Sequence, residues 1–336
     1  MSRLDVRDLS IRYRAQGGHV HAVNGVSFSL DAGGSLGLVG ESGCGKSTLA
    51  TALLGLLPET AEVSSGSIAL GGDDLLSLPA EDLRRRRWTE IAYVPQGAAV
   101  ALSPVASLHR QFMQAWDAHR PRDPAAARRR AEELFRAVEL APTLLDAFPH
   151  QLSGGMRQRA IIAMSLLFEP ACLIADEPTT GLDVIVQRQV LDVLKRLQRE
   201  RRMTLVFVSH DIAVVAELCR SMAVMYAGEI VEIAETRRVL KAPLHPYSMA
   251  LRRSFPDIRE PAQPLISIPG RMPILHAEPT ACVFAARCPF ARERCRRERP
   301  RLRPLDGGEV ACHYAEEAGA MAEAFRRDDV WDRVGA

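Results

Sequence analysis

Hydrophobic and polar residues alternate near the start of the chain, and the alternation has a period of two. Val26, Phe28 and Leu30 are apolar, and serines separate them. Such a pattern is typical of a strand that buries one of its faces. We therefore predict an N-terminal antiparallel β-subdomain.

Four short apolar runs, each followed by polar or glycine residues, predict buried strands; they span residues 36–39, 172–175, 205–208 and 223–226. Helical patterns lie between them, as in residues 48–57 and Val184–Arg201. Apolar strands that alternate with helices indicate a mostly parallel core sheet, with ligands at the carboxyl ends of its strands. The predicted fold class is therefore α/β.

The segment from about residue 100 to 168 has a predominantly helical pattern. In residues 125–140, a helix behind a proline carries an apolar stripe of Leu134, Phe135 and Val138. We predict a helical insertion here. Prolines become dense after about residue 240, which predicts a domain of residues 1–240 followed by a small irregular extension of residues 241–336.

The composition restricts the class of protein. The 336 residues include 43 Lys and Arg against 41 Asp and Glu, a net charge of +2, and 47% are hydrophobic. Such a balance favours a globular core and argues against a nucleic-acid partner. No apolar run approaches the ~20 residues of a membrane span, and the N-terminus has no apolar region of a secretion signal. We expect a chain that is neither membrane-spanning nor secreted.

A glycine-rich loop follows the first apolar run and precedes a helical pattern. It consists of Gly40, Glu41, Ser42, Gly43, Cys44, Gly45, Lys46, Ser47 and Thr48, which matches the phosphate-loop pattern GxxxxGK[ST]. Glycines allow backbone N–H groups to surround phosphate oxygens, and the helix N-terminus adds positive potential. Lys46 suits the β- and γ-phosphates of a nucleotide, and the Ser47 hydroxyl suits Mg²⁺.

Two carboxylates, Asp176 and Glu177, follow the second apolar run. Alone, such a pair is as typical of a solvated turn as of a site. After a phosphate loop, Asp176 suits Mg²⁺, and Glu177 suits a general base that orients the attacking water. His210 follows the third run, where a histidine is usually a capping or packing residue, but here it can contact the γ-phosphate.

The octapeptide that begins at Leu152, LSGGMRQR, completes an ordered set of motifs. With the phosphate loop, the two carboxylates and His210, it resembles the nucleotide-binding subunits of ABC transporters over roughly residues 3–235. The resemblance implies a P-loop NTPase fold of the ABC type. It further implies that ATP hydrolysis needs a dimer, because the signature of each subunit faces the ATP of the other.

The resemblance assigns a role to each matching position. It implies an ATP site of Tyr13, which stacks on adenine, Gly40, Ser42, Gly43, Cys44, Gly45, Lys46, Ser47, Thr48 and Gln96. The implied catalytic residues are Glu177, His210 and Lys46, and the implied Mg²⁺ ligands are Ser47, Gln96 and Asp176. The residues expected to face the partner's ATP are Ser153, Gly154, Gly155 and, in the D-loop, Asp183.

Motifs after residue 240, among them His-Pro-Tyr-Ser from His245 and Ile-Pro-Gly from Ile268, resemble the dipeptide and oligopeptide importer branch, which includes nickel importers. This implies an ATPase on the cytoplasmic face of the inner membrane. Its implied partners are a second ATPase subunit, identical or different, two transmembrane permease subunits and an extracytoplasmic solute-binding protein. Import of nickel or another small solute is the alternative; an exporter or a non-transport ABC ATPase is less favoured.

Four of the seven cysteines are Cys282, Cys288, Cys295 and Cys312, separated by five, six and sixteen residues. In a chain without an export signal, metal ligation is favoured over disulfides. The spacing is untypical of structural zinc, and relatives of the implied branch are thought to hold a 4Fe-4S cluster with it. We therefore expect an iron–sulfur cluster, with zinc as the alternative. The neighbouring arginines are expected to favour thiolates; they are Arg287, Arg292, Arg294, Arg296 and Arg297.

Overall fold

The computed structural model describes residues 3–97, 101–254, 268–325 and 330–331. Within them, the strands are β1 (Leu4–Ala15), β2 (Gly18–Leu30), β3 (Ser35–Val39), β4 (Ala61–Leu70), β5 (Asp73–Asp74), β6 (Ile91–Val94), β7 (Cys172–Asp176), β8 (Thr204–Ser209), β9 (Ser221–Tyr226), β10 (Glu229–Glu235), β11 (Arg303–Leu305) and β12 (Gly308–Val310). The helices are α1 (Lys46–Leu53), α2 (Ala80–Arg86), α3 (Leu108–Asp117), α4 (Pro124–Ala137), α5 (Gly154–Ser165), α6 (Val184–Arg201), α7 (Ile212–Leu218), α8 (Thr236–Lys241), α9 (Pro246–Arg253), α10 (Glu293–Arg297) and α11 (Ala318–Ala324).

The described residues fall into two units. The first unit comprises those within Met1–Leu4, Leu30–Gly34 and Leu70–Phe207, and the second comprises those within Asp5–Ser29, Ser35–Ala69 and Val208–Ala336. Both units interleave strands and helices, so the predicted α/β class is confirmed. Among the described residues, no helix combines the length and the apolar character needed to cross a bilayer.

In the first unit, β6 and β7 are parallel, with Tyr93 opposite Ile174. Helices α3, α4 and α5 form the predicted insertion. Helix α4 begins at Pro124, and the Asp123 side chain caps it by accepting a hydrogen bond from the Ala126 amide. Its buried residues recur at helical spacing and contact α3, where the ring of Phe112 lies 5.6 Å from that of Phe135.

In the second unit, the strands follow the order β11, β12, β10, β9, β3. Strands β3 and β9 are parallel, whereas β9 and β10 form a hairpin. Its turn is Ala227-Gly228, and both residues have the positive φ, 46° and 83°, that a tight hairpin turn requires. All five residues of β3 are buried, as the apolar run predicted.

The N-terminal strands confirm the predicted β-subdomain. Strand β1 lies between β2 and β4, and only two residues separate β1 from β2, so the two neighbours are antiparallel. In β2, Val26 and Phe28 are buried and Ser29 is exposed, which is the predicted alternation.

The C-terminal residues contain regular structure that the proline density did not predict. Strands β11 and β12 form a hairpin, and β12 pairs with β10, with Ile233 opposite Glu309. A separate apolar cluster forms beside them; its buried members are Leu244, Met249, Ala250, Val310, Ala315, Ala318, Met321, Phe325 and Val330. This part of the chain therefore has a core of its own.

Candidate active site

The phosphate loop connects β3 to α1, as predicted, and its glycines are conformationally required. Gly40, Gly43 and Gly45 have φ of 157°, 81° and 105°. A Cβ on Gly40 would lie 2.2 Å from the carbonyl oxygen of Met225, and one on Gly45 would lie 2.3 Å from that of Ala22. No L side chain fits at these two positions, so the backbone conformation of the loop requires glycine at both of them.

Lys46 is the first residue of α1, and only 4% of it is exposed. Its Nζ donates hydrogen bonds to the carbonyl oxygens of Gly40, at 2.8 Å, and Glu41, at 3.0 Å. Burial raises the pKa of the adjacent Cys44 thiol, and the Lys46 ammonium opposes this rise. The ammonium is therefore held within the loop by neutral groups that a phosphate can replace.

The hydroxyl-bearing residues of the loop lie at or near its surface. Ser42 and Ser47 are exposed. Thr48 contributes a hydrogen bond, 3.1 Å long, between its Oγ1 and the Tyr13 hydroxyl on β1. The structure thus places Tyr13, the residue that the resemblance assigned to adenine stacking, beside the start of α1. The roles of these residues toward ATP stay predictions.

Asp176 ends β7 and is 2% exposed. Its Oδ2 accepts a hydrogen bond from the Tyr93 hydroxyl at 3.2 Å. Burial, together with the charge of Asp176, raises the pKa of Tyr93, so this hydroxyl stays a donor. Tyr93 was not predicted as a site residue, although it lies in the apolar run Ile91–Val94, where a tyrosine is the one polar side chain.

Glu177 comes next and has a φ of 44°, in the left-handed region. Its Oε2 accepts hydrogen bonds from Gln96 Nε2 and from Thr180 Oγ1, both at 3.0 Å. A non-glycine residue with such a φ has a strained backbone, and strained residues are frequent at functional sites, where a side chain is held in one orientation. Sequence reasoning paired Gln96 with this site through the resemblance, but it missed Thr180.

The signature residues begin α5. The Ser153 Oγ accepts a hydrogen bond from the Met156 amide at 3.3 Å and caps the helix. A Cβ on Gly155 would lie 2.1 Å from Cγ1 of Val186 on α6, whereas one on Gly154 would meet its nearest neighbour at 3.4 Å. Gly155 therefore permits close packing of two helices, and the exposed helix end retains its positive potential.

Asp183 of the D-loop and His210 lie at or next to the starts of helices. Asp183 caps α6 by accepting a hydrogen bond from the Val186 amide at 3.0 Å. His210 follows β8 and is exposed; the next residue, Asp211, caps α7 through the amides of Ala213 and Val214. Both caps fix the backbone next to a predicted functional residue.

The predicted iron–sulfur cluster is wrong. Among the described residues, no group of three or more His, Cys, Asp and Glu side chains is arranged to hold a metal ion, and the zinc alternative fails on the same observation. Cys282, Cys288, Cys295 and Cys312 line one cavity of about 20 Å³ together with aromatic side chains. Burial there raises the pKa of Cys282 to about 12 and that of Cys312 to about 11, which favours neutral thiols over thiolates.

The arginines near these cysteines pair with carboxylates. Arg287 contacts Glu41 at 3.1 Å, and Arg294 contacts Glu298 at 2.8 Å. Arg292 pairs likewise with Glu317, and Arg297 pairs with Glu293. Each of these four arginines therefore has a carboxylate partner for its positive charge.

Comparison with known proteins agrees with these motifs. The family described as "ABC transporter" matches residues 23–180. The family described as "Oligopeptide/dipeptide transporter, C-terminal region" matches residues 231–295.

Named relatives extend the similarity over nearly the whole chain. The dipeptide transport ATP-binding protein DppD of Escherichia coli is 38% identical over 95% of this chain and 99% of its own length. DppD of Caldanaerobacter subterraneus is 41% identical over 93% of this chain and 97% of its own. The oligopeptide transport ATP-binding protein OppD of Haemophilus influenzae is 40% identical over 91% and 95%.

Solved structures share the fold. A dimeric post-hydrolysis state of the ATP-binding cassette MJ0796, bound to ADP and Pi, matches 70% of this chain and 99% of that chain, with a TM-score of 0.63 and 25% identity. The structure of cbiO1 from Clostridium perfringens, part of the transporter complex cbiONQ, matches 70% and 89%, with a TM-score of 0.60 and 27% identity. The chain belongs to the ABC transporter ATP-binding proteins of the dipeptide and oligopeptide family.

Proposed function

We propose that this chain hydrolyses ATP on the loop of residues 40–48 to drive import of dipeptides or oligopeptides through a membrane permease. The observation that carries the proposal is the buried Lys46 ammonium inside a loop in which no side chain fits at Gly40 or Gly45. The names of the relatives, which are dipeptide and oligopeptide transport ATP-binding proteins, support the class of transported solute.

Lys46 and the loop amides bind the triphosphate in this mechanism. The ammonium exchanges its hydrogen bonds with the Gly40 and Glu41 carbonyls for bonds to β- and γ-phosphate oxygens. Positioned cations lower the barrier because they stabilise the negative charge on the phosphoryl group while its bond to the leaving group breaks. Tyr13, already hydrogen-bonded to Thr48, is the proposed contact for adenine.

Glu177 is the proposed base that orients the attacking water. Its carboxylate accepts hydrogen bonds from Gln96 and Thr180, which fix its direction toward the proposed water. His210, at the end of β8, is the proposed contact for the γ-phosphate.

Ser47, Gln96 and Asp176 are the proposed ligands of Mg²⁺. All three offer the oxygen donors that Mg²⁺ prefers, and Gln96 points its NH₂ group at Glu177, so that its carbonyl oxygen is available to a metal. When bound, Mg²⁺ neutralises charge on the phosphate oxygens. Asp176, held in place by Tyr93, is the ligand whose geometry the protein fixes most directly.

A second ATPase subunit, identical or different, completes the site. Ser153, Gly154, Gly155 and Asp183 are proposed to face its ATP, because the positive end of α5 suits a phosphate. Val184 and Ile185, which follow Asp183, are 83% and 72% exposed. Two adjacent exposed aliphatic residues beside a polar motif support a protein partner at this surface.

The remaining proposed partners are two transmembrane permease subunits and an extracytoplasmic solute-binding protein, with the chain peripheral to the cytoplasmic face of the inner membrane.

Reconstitution of the chain with its permease, the second ATPase subunit and the solute-binding protein in vesicles tests the proposal. We expect uptake of labelled dipeptide that requires MgATP and is lost with Glu177→Gln. Uptake of Ni²⁺ and no peptide would support the alternative solute. ATP hydrolysis without uptake of any solute would contradict the transport function and leave the ATPase intact.

A further inference from the structure

Glu41, the second residue of the phosphate loop, is held by residues from the C-terminal part of the second unit. Its carboxylate accepts hydrogen bonds from Arg287 Nη1 at 3.1 and 3.2 Å. Its amide donates to the Tyr247 hydroxyl at 2.9 Å. Its carbonyl oxygen accepts the bond from Lys46. Three polar groups of one loop residue are therefore fixed, two of them by residues more than two hundred positions away.

The Arg287 guanidinium is immobilised. Its side chain is 6% exposed, and its Nε donates to the carbonyl oxygen of Pro269 at 2.7 Å. Its Nη2 donates to the carbonyl oxygen of Ile268 at 3.2 Å, and its Nη1 lies 3.3 Å from the Tyr226 hydroxyl. A planar fork with this many fixed donors holds its charge at one place, which a flexible ammonium does not.

Tyr247 is fixed by packing. Its ring contacts those of Tyr226, 4.7 Å away, and Phe284, 5.3 Å away, and all three side chains are fully buried. Phe284 also lines the cysteine cavity. Contacts thus run without interruption from the cysteine cavity to the backbone of the phosphate loop.

The charge of Glu41 is the reason that this arrangement bears on nucleotide binding. A carboxylate on a phosphate loop repels the triphosphate, and the repulsion is large where water is partly excluded. The Glu41 side chain is 29% exposed, and Arg287 supplies the compensating charge at 3.1 Å. Removal of Arg287 alone would leave an uncompensated anion on the loop and release its backbone.

We propose that Arg287 and Tyr247 are positioning residues for the phosphate loop: through Glu41 they hold its backbone and neutralise its carboxylate, so that ATP affinity depends on the C-terminal segment. The inference rests on the proposed binding of ATP by this loop. It assigns to the C-terminal residues a part in the ATP site.

Four variants and a matched control test it in the assembled transporter. Arg287→Gln is expected to raise the KM for MgATP by about tenfold, with kcat within about threefold of the wild type, because ground-state binding is lost. Glu41→Gln removes the loop carboxylate, keeps an acceptor for Arg287, and supplies the second single variant that the double-variant comparison needs. The double variant is expected to recover most of the loss, because the repulsive charge is gone. Arg294→Gln removes an exposed arginine of the same segment and is the control.

Tyr247→Phe removes only the hydroxyl that accepts from the Glu41 amide, and we expect KM to rise about threefold to fivefold in a chain that still folds, with a small loss of Tm. It carries the test if Arg287→Gln does not fold. Wild-type KM in both Arg287→Gln and Tyr247→Phe, or a double variant as weak as Arg287→Gln, would overturn the inference while ATP binding by the loop stands. Failure of the wild-type protein to bind MgATP would instead overturn the proposed function.

Discussion

Gln96 Nε2 donates a hydrogen bond of 3.0 Å to Oε2 of Glu177. Thr180 donates to the same oxygen. These two neutral donors hold the carboxylate in one direction, as a base that orients water requires. Gln96, which precedes Glu177 in the chain, and Thr180, which follows it, therefore orient the side chain for its proposed role as a base.

We expect Glu177→Gln to bind ATP normally and to reduce turnover by at least about 100-fold, because the amide cannot accept a proton from the attacking water. The closed, ATP-bound dimer should persist. Phosphate release under saturating MgATP measures turnover, and size-exclusion chromatography measures dimer formation. Near-normal phosphate release would remove Glu177 from its assigned role.

Thr180→Val tests whether the orientation of the Glu177 carboxylate contributes to turnover. It keeps the Glu177 carboxylate and removes the hydrogen bond that Thr180 donates to it, so turnover should fall by about threefold to tenfold. A loss as large as that of Glu177→Gln would mean that the loop conformation, and not the base, accounts for both effects.

Sequence reasoning located Asp176 and Glu177 because their position depends on local signals, an apolar run followed by acids. The partners that orient them depend on tertiary structure. Tyr93 and Thr180 are ordinary residues of a strand and a turn, and only the fold places their hydroxyls against the carboxylates. Gln96 was reachable only through the family resemblance.

Lys46→Arg should weaken MgATP binding by at least about thirtyfold, although the charge is retained. The ammonium is buried and donates to two carbonyls at 2.8 and 3.0 Å, a space that a planar guanidinium does not fit. Equilibrium titration with a fluorescent ATP analogue measures the loss. Lys241→Arg makes the same exchange at an exposed position and should bind as the wild type; equal affinity of both variants would contradict the argument.

The cysteine segment shows where sequence reasoning failed. The spacing of the four cysteines predicted that their thiols lie close together, and they do line one cavity. Whether a thiol ionises depends on burial and on nearby charge, and neither is visible in the spacing. Arg287, one of the five arginines expected to favour thiolates, pairs with Glu41 of the phosphate loop instead.

Gly155→Ala should lower the Tm. The added Cβ would lie 2.1 Å from Cγ1 of Val186, so α5 or α6 must move, at a cost of about 1–3 kcal/mol. Gly154→Ala is the matched control, since its Cβ meets nothing closer than 3.4 Å, and its Tm should stay close to that of the wild type.

A second change separates this crowding from other effects of the substitution. Val186→Ala removes the methyl group that the new Cβ would meet, so adding it to Gly155→Ala should restore part of the lost Tm. Additive losses in the double variant would show that the contact between these helices is not the cause.

The C-terminal residues illustrate a different limit of the sequence. Dense prolines predicted an irregular extension, yet β11 and β12 extend the sheet beside β10. Pro304 lies within β11, which among the described strands pairs with β12 alone and is therefore an edge strand, where a missing amide is tolerated. Short edge strands of three residues carry too little periodicity to be predicted.

His245 makes stability depend on pH. Burial lowers the pKa of its imidazole to about 3, and its Nδ1 accepts a hydrogen bond of 3.0 Å from the Tyr247 amide, which requires the neutral ring. The unfolded chain binds a proton at this position near pH 6.5, so the stabilisation is complete above that pH and is lost as the pH falls toward 3. The loss is up to about 1.4 kcal/mol per pH unit.

His245→Asn isolates this contribution, because the asparagine carbonyl can accept from the Tyr247 amide but does not titrate. Glu232, whose carboxylate accepts a hydrogen bond from the His245 amide, is present in both proteins. Burial raises its pKa, so its own contribution to stability changes with pH in the direction opposite to that of His245 and cancels in the comparison. The difference in unfolding free energy between the two proteins, measured with urea from pH 7 to pH 4.5, should therefore shift in favour of the variant as the pH falls. Parallel curves would mean that His245 is protonated in the folded protein or is not buried.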